Sequence, residues 1–310
     1  RGLTRAGAEV DTDIPDRKKD GYGLNEDLVK RAYDAGVDTI VTCDNGIAAV
    51  KEIAYAKSLG KTVIITDHHE LQEEIPPADV VVNPHQKDCP YPYKNLCGAG
   101  VAWKLVSALW EQLGVPEQEL YEDLLLFAGF ATVGDVMDLT GENRILVKEA
   151  LKLLKTTTHP GISALIEVNE ISRETISAFH IGFVLGPCIN ASGRLDTAKR
   201  ALELLKTTDY EKALVKAAEL KALNDERKSM TDDGVQQALD QIENSDMKRD
   251  RVLVIYLPDC HESLAGIIAG RIRERYYRPV FVLTRSQDGV KGSGRSIETY
   301  SMFEEMSKCK

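Results

Sequence analysis

Two short segments in the first quarter of the chain place carboxylate and imidazole at the end of an apolar run. They are Thr39-Ile-Val-Thr-Cys-Asp44-Asn45-Gly46 and Thr62-Val-Ile-Ile-Thr-Asp67-His68-His69, the second followed by Glu70. A third acid, Asp135, follows Gly134 at the end of the apolar stretch Leu124 to Val133. A satisfied core histidine rarely comes doubled and flanked by acids, so the Asp67-His68-His69 triplet reads as functional. Asp44 alone is weaker, because a lone Asp at a strand end is more often a helix cap, and Asn45-Gly46 suits a turn with or without a metal. Asp135 is either a turn acid of no consequence or, if buried, an acid that needs a cation or strong donors. Carboxylate and imidazole without thiolate suit Mn²⁺ or Mg²⁺ better than zinc or copper. In a nuclease or phosphatase such a site orients a water and neutralises charge during in-line phosphoryl displacement.

Two glycine-rich segments are compatible with phosphate. Gly186-Pro-Cys-Ile-Asn190-Ala-Ser-Gly-Arg194-Leu-Asp196 reads as a loop whose small residues permit close approach and whose Arg could grip a phosphate bidentately. Lys291-Gly-Ser293-Gly-Arg295-Ser296 could cradle phosphate or simply form a hairpin. Neither matches P-loop spacing, and no G-x-G-x-x-G or G-x-S-x-G element is in place, which argues against nucleotide motors, dinucleotide enzymes and serine hydrolases.

The elements that must position these residues alternate in the manner of an α/β domain. Strands are expected at Ala8 to Ile14, Asp38 to Cys43, Thr62 to Thr66 and Val80 to Asn83, with helices at Glu26 to Ala35 and Ile47 to Leu59. Strands joined by crossover helices imply a parallel sheet, whose ligands sit beyond the carboxyl ends of the strands, so Asp44 and Asp67-His68-His69 should share a rim. A mostly helical stretch follows, with helices expected at Ala102 to Gln112, Leu120 to Val133, Arg144 to Leu154 and Ala198 to Leu205. Residues 209–244 form a charged stretch with an interrupted apolar stripe, read as a long connector helix or helix pair. A smaller α/β unit then has strands at Val252 to Leu257, Val280 to Thr284 and Val290 to Ser296 around a helix from Leu264 to Arg275. The expected division is 1–206, 207–250 and 251–310.

Composition narrows the partners. With 310 residues, 43% hydrophobic and 28% charged, the chain is a globular protein of about two domains rather than a disordered or fibrous one. No apolar run approaches a membrane span. The net charge of −10 argues against generic nucleic-acid binding, yet residues 251–300 hold eight Lys and Arg against five acids. Screening over about 8 Å lets a phosphate respond to that local excess. The six cysteines form no C-x-x-C pair, so reduced thiols are expected rather than a disulfide framework or zinc ribbon.

In order along the chain, these residues resemble the DHH phosphoesterase superfamily and, within it, the RecJ-type single-strand-specific 5′→3′ exonucleases. The likeness is carried by Asp44-x-Gly46, Asp67-His68-His69, Ile14-Pro-Asp-Arg17 with Gly21-Tyr-Gly-Leu-Asn25, Cys97-Gly-Ala-Gly-Val101, Thr132-Val-Gly-Asp135-Val136 and Gly186-Pro-x-Ile-Asn-Ala-x-Gly-Arg194. His261-Glu-Ser-Leu-Ala-Gly-Ile267 and Gly292-Ser-Gly-Arg-Ser296 are similar to the DHHA1-type accessory domain. The resemblance implies a parallel-sheet DHH domain with a helical extension, a long connector helix and a smaller α/β substrate-binding domain. It implies a pair of Mn²⁺ or Mg²⁺ ions, with Asp44 bridging, His68 and Asp135 as ligands, Asp67 orienting His68 and His69 facing the scissile phosphate. Asn190, Arg194, His261, Ser293, Arg295 and Ser296 would hold substrate phosphates from opposite sides of an interdomain cleft. The implied setting is DNA repair and recombination in the cytoplasm, by a monomer acting on single-stranded DNA, with a single-strand-binding protein and a helicase as partners.

Three departures accompany the likeness. The family's opening Asp-x-Asp motif is expected upstream of Arg1, so the 310 residues by themselves are expected to be poor catalysts. A late Gly-Gly-His element and an oligonucleotide-binding module are also lacking, and Cys188 stands where a basic residue is common. The competing readings are a DHH-type oligonucleotidase or nucleotide phosphatase for short substrates, and a catalytically silent scaffold for replication partners.

Overall fold

Val63 and Ile65 lie on one face of a five-residue strand and are fully buried, which makes that strand the spine of the first sheet. In the computed structural model, which describes residues 1–15, 23–116, 124–286 and 289–309, it is the middle strand of three. Strands β1 (Thr39–Cys43), β2 (Thr62–Thr66) and β3 (Val80–Val82) run parallel in that order. Helix α1 (Glu26–Asp34) precedes β1, α2 (Val50–Ser58) supplies the crossover from β1 to β2, and Val29, Ile53 and Ala56 close over Val63 and Ile65. Each fully buried Val or Ile contributes about 1.5–3 kcal/mol. Register pairs Cys43 with Thr66 and Thr66 with Val82, so the next residue of each strand, Asp44, Asp67 and Asn83, falls on one edge of the sheet.

The β3 end is held by an ion pair. Asp79 accepts from Lys57 Nζ at 2.6 Å and from the Val63 N–H at 2.7 Å. Those two donors hold its carboxyl below the ordinary carboxylate range. A depressed folded pKa means stabilisation that is complete above the ordinary carboxylate value and disappears as pH falls through the lowered one. Asp79→Asn should therefore lower the urea midpoint at neutral pH, and its curve should meet the wild-type curve once the pH has fallen through the lowered carboxyl value. Parallel curves would show that the ion pair does not contribute.

Helices fill the rest of the first unit: α3 (Gly98–Leu113), α4 (Leu126–Gly134), α5 (Gly141–Thr156), α6 (Pro160–Val168), α7 (Gly186–Leu195) and α8 (Lys199–Lys206). The long helix α9 (Tyr210–Glu243) is one continuous element of 34 residues rather than a pair. By compactness the chain divides into one unit of Arg1–Gly193 with Thr197–Glu219, and another of Arg194–Asp196 with Leu220–Lys310. The division falls within α9. The second unit has β4 (Leu253–Tyr256) parallel to β5 (Val280–Ser286), which pairs antiparallel with β6 (Gly289–Arg295). Its core joins Ile255 and Val282 to Ile268 of α10 (Ala265–Tyr276) and to Ala238 and Ile242 of α9.

Several expectations change. The strand expected at Ala8 to Ile14 does not form among the described residues. Asp11 and Asp13 carboxylates accept the Thr12 and Ile14 N–H groups, and Val10 is exposed, so neither ladder bonds nor an apolar face holds the segment extended in a sheet. The helix expected from Ile47 begins at Val50, since the Ile47 N–H is donated to Asp67. The helix expected from Leu120 is a regular α-helix only from Leu126, and Leu120 to Asp123 lie outside the described residues, as do Asp16, Arg17, Gly21 and Tyr22. The segment expected to be a ligand-binding loop, Gly186 to Asp196, is helix α7 as far as Leu195. Its small residues Cys188, Ala191 and Ser192 are buried, so smallness there serves helix packing.

Candidate active site

The edge formed by the strand ends is acidic and imidazole-rich because the register aligns it. The Asp44 N–H bonds to Thr66 O at 3.0 Å and the Asp67 N–H to Val82 O at 3.1 Å, so the hydrogen-bonding pattern continues one residue past each strand. Asp44 then leaves in the left-handed conformation, with φ of 63°, which turns its side chain across the sheet edge. His68 Nε2 meets Asp44 Oδ1 at 3.0 Å and Asp135 Oδ2 at 3.4 Å. One ligating atom from each of Asp44, His68 and His69 lies within 4.8 Å of the others. Asp135 arrives from the C-terminal cap of α4.

Gly98, the first residue of α3, makes room for this. A Cβ there would lie 2.4 Å from Asp44 Oδ1 and 2.6 Å from its Cα. No side chain larger than hydrogen fits between the helix start and the turn at Asp44.

Asp67 does not orient His68 as the resemblance implied. Its Oδ1 takes the His69 ring through Nδ1 at 2.7 Å, and gives His68 only a bond from the backbone N–H. In an extended segment the second residue onward returns to the same side, while the next one points away. Burial pushes the Asp67 carboxyl up, but the N–H groups of Ile47, His69 and His68 and the His69 ring outweigh it and hold it below the ordinary range. Asp67 is thus a buried carboxylate that ties the β1–α2 turn and both histidines to one point. Asn83, the third strand end, is expected from the sequence only as a strand terminus. Its amide donates to His69 O and its carbonyl accepts the His85 N–H, so it clamps the backbone of the triplet. The signal that could have found it is its place as the third strand end.

Hydrogen bonding to Asp44 raises His68 above the ordinary imidazole value against the opposing effect of burial. Burial pushes Asp135 up, with the Asp44 charge adding to it against the pull of His68. Two carboxylates facing one imidazole leave the cluster short of positive charge. The donor types and the space held open by Gly98 fit a hard divalent ion such as Mn²⁺ or Mg²⁺.

In the second unit, β6 pairs Val280 with Arg295 and Val282 with Ser293, placing Ser293 and Arg295 on the sheet face covered by α10. A Cβ on Gly266 in the first turn of α10 would lie 2.7 Å from Arg295 Nη2 and 2.9 Å from Ser293 Oγ. Arg194 Nη1 donates to Ser263 O, and His261 Nδ1 lies 2.8 Å from Ser263 Oγ. Arg194, His261, Ser293 and Arg295 therefore gather at the positive end of a helix, where an anion is favoured. Ser296 stands aside, since its Oγ accepts the Met302 N–H and starts the helix α11 (Met302–Ser307). Asn190 is exposed on α7, in the first unit.

Residues 1–129 match the model of the DHH family, N-terminal domain. The chain is similar to the single-stranded-DNA-specific exonuclease RecJ of Bacillus subtilis, 38% identical over 99% of this chain and 38% of that protein. It is also 38% identical to RecJ of Escherichia coli, over 97% of this chain and 54% of the relative. The chain thus spans about two fifths to half the length of these curated relatives. Among solved structures, a crystal structure of exonuclease RecJ bound to manganese superposes with a TM-score of 0.85 at 34% identity, covering 99% of this chain and 75% of that one. No helix among the described residues is long and apolar enough to cross a membrane.

Proposed function

This chain belongs to the DHH family and, within it, to the RecJ exonucleases, and on that footing we propose that it carries metal-dependent exonuclease chemistry on single-stranded DNA, 5′ to 3′, in repair and recombination. The observation that supports the reading is the meeting of Asp44, His68, His69 and Asp135, from two parallel strand ends and one helix end, around a space that Gly98 keeps open. Asp44, His68 and Asp135 would hold Mn²⁺ or Mg²⁺. When bound, such an ion supplies Lewis-acid activation and neutralises charge on phosphoryl oxygens.

The protein's own part is positioning and proton placement. With Nδ1 committed to the buried Asp67, the His69 ring is held in one orientation and presents Nε2 to the scissile phosphate. From that orientation Nε2 can make a hydrogen bond to a phosphoryl oxygen as charge develops there. In the second unit, Arg194, His261, Ser293 and Arg295 would grip a substrate phosphate at the start of α10. We place the activity in the cytoplasm and assign the protein to work as a monomer, with a single-strand-binding protein and a helicase delivering its substrate.

Labelled single strands and duplexes of the same sequence, incubated with manganese or with EDTA, test this reading. Nucleotide release from the single strand alone, abolished by EDTA and by a blocked 5′ end, is expected. Release favouring dinucleotides over long strands would overturn it. Arg295→Ala should raise KM about tenfold or more and leave kcat nearly unchanged, because a charged hydrogen bond to phosphate is made equally in ground and transition states. An equal fall in kcat would place Arg295 in the chemical step instead.

A further inference from the structure

Phe179 and Phe183 are 61% and 69% exposed, and their rings stack at 5.0 Å between centroids and 24° between planes. Two phenylalanines in face contact, turned outward together, form a patch that a lone exposed residue would not. Their spacing of four residues brings them onto one side of the helical turn that starts at Ala178 and continues as a π-helical segment, Ile181–Leu185. Such segments are rare and are frequent at functional sites. The turn is rigid at its start, where Ser177 and His180 form a reciprocal cap.

The segment that carries the patch packs against the helix that ends at the candidate metal cluster. Gly182, between the two rings, packs on the end of α4, where its Cβ position lies 3.6 Å from Val133 Cγ1. Two residues later the same helix delivers Asp135 to His68. Val136 comes next, 88% exposed and at φ of 57°, an unfavourable conformation for a β-branched side chain. Exposed Val136 and the segment that bears the two rings thus both lie at the end of the helix that carries Asp135.

We propose that Phe179 and Phe183 form a stacking platform for a nucleobase of the single strand whose backbone lies at the Asp44, His68 and Asp135 cluster. The proposal rests on the single-strand nuclease reading and deepens it. A strand with its phosphate at Asp135 carries its base to one side of the backbone, and the rings offer that base a flat surface. Phenylalanine has no polar atom with which to read base edges, so the platform accepts any base and requires only that it be unpaired. Single-strand preference then has a positive cause, a base that must be free to stack.

The test uses the whole chain in EDTA, so that no cleavage intervenes, with fluorescence anisotropy on an oligothymidylate and on an abasic strand of equal length and charge. The wild type should bind the base-bearing strand about tenfold more tightly. Changing Phe179→Leu and Phe183→Leu together should remove that advantage and leave abasic binding unaltered, while Phe179→Tyr with Phe183→Tyr should retain it. If the leucine variant keeps the preference, the contact is apolar packing and the stacking platform is wrong. If it alters only the mass in solution, the patch joins copies of this chain, and the proposal is again wrong. Metal-dependent nucleotide release together with equal binding of the base-bearing and abasic strands would sink the platform and spare the nuclease reading. A wild type that neither binds either strand nor releases nucleotides with manganese would sink both.

Discussion

Asp44→Asn is expected to reduce manganese-dependent nucleotide release from single-stranded DNA by more than about a hundredfold, and to weaken Mn²⁺ binding in parallel. The comparison that gives this meaning is Asp67→Asn. Asp67 touches no other acid of the cluster and acts through His69, and losing an outer partner of that kind typically costs about 10–100-fold. Stability should move the opposite way. Asp44 is half exposed and crowded by the Asp135 charge, so neutralising it should leave the urea midpoint unchanged or higher. Asp67 is 1% exposed and accepts from three backbone N–H groups, so Asp67→Asn should destabilise by about 1.5–3 kcal/mol. Calorimetric titration with Mn²⁺ and urea unfolding on both variants separate the two effects. Equal loss of metal affinity in both would show that the division of labour drawn between them is wrong.

The second large effect needs no change in any donor. Gly98→Ala should disable the site because the new methyl group would stand 2.6 Å from Asp44 Cα, a contact relieved only by moving the backbone. Overpacking of this kind costs about 1–3 kcal/mol in stability. It should cost activity more steeply, since a displacement of about 1 Å in a positioning group can mean a hundredfold in rate. The expected signature is a modest fall in melting temperature with a large loss of kcat and of Mn²⁺ affinity. Gly100→Ala, two residues along the same helix, serves as the control, because its nearest contacts are ordinary at 3.5 Å. If Gly98→Ala and Gly100→Ala behave alike, the close approach at Asp44 has no functional weight.

Much of the site was legible in the chain because it depends on period-two strands and on the residues at their carboxyl ends. Thr39 to Cys43 and Thr62 to Thr66 are β-branched runs, each succeeded by an acid, and parallel pairing leaves such ends in one row. Asp135 was legible as the acid closing an apolar helix. Two readings failed for identifiable reasons. Ala8 to Ile14 has a strand-like composition, but its own carboxylates satisfy its backbone. Gly186 to Asp196 is rich in glycine and small residues, which signal a loop locally and a tight helix contact once neighbours surround them.

The sequence by itself determined which residues could do the chemistry, since residue type and strand-end placement follow from local pattern and side-chain pKa. Only the tertiary structure decided how they pair. Asp67 serves His69 rather than His68 because alternation along the chain puts the second neighbour on the same side. Asp135, far along the chain, joins His68 because α4 ends at the sheet edge. Gly98 and Asn83 become part of the site for the same reason. Their contribution is a distance to something remote in sequence, a Cβ that would not fit and an amide that reaches His69 O, and such distances exist only after the strands and helices have packed.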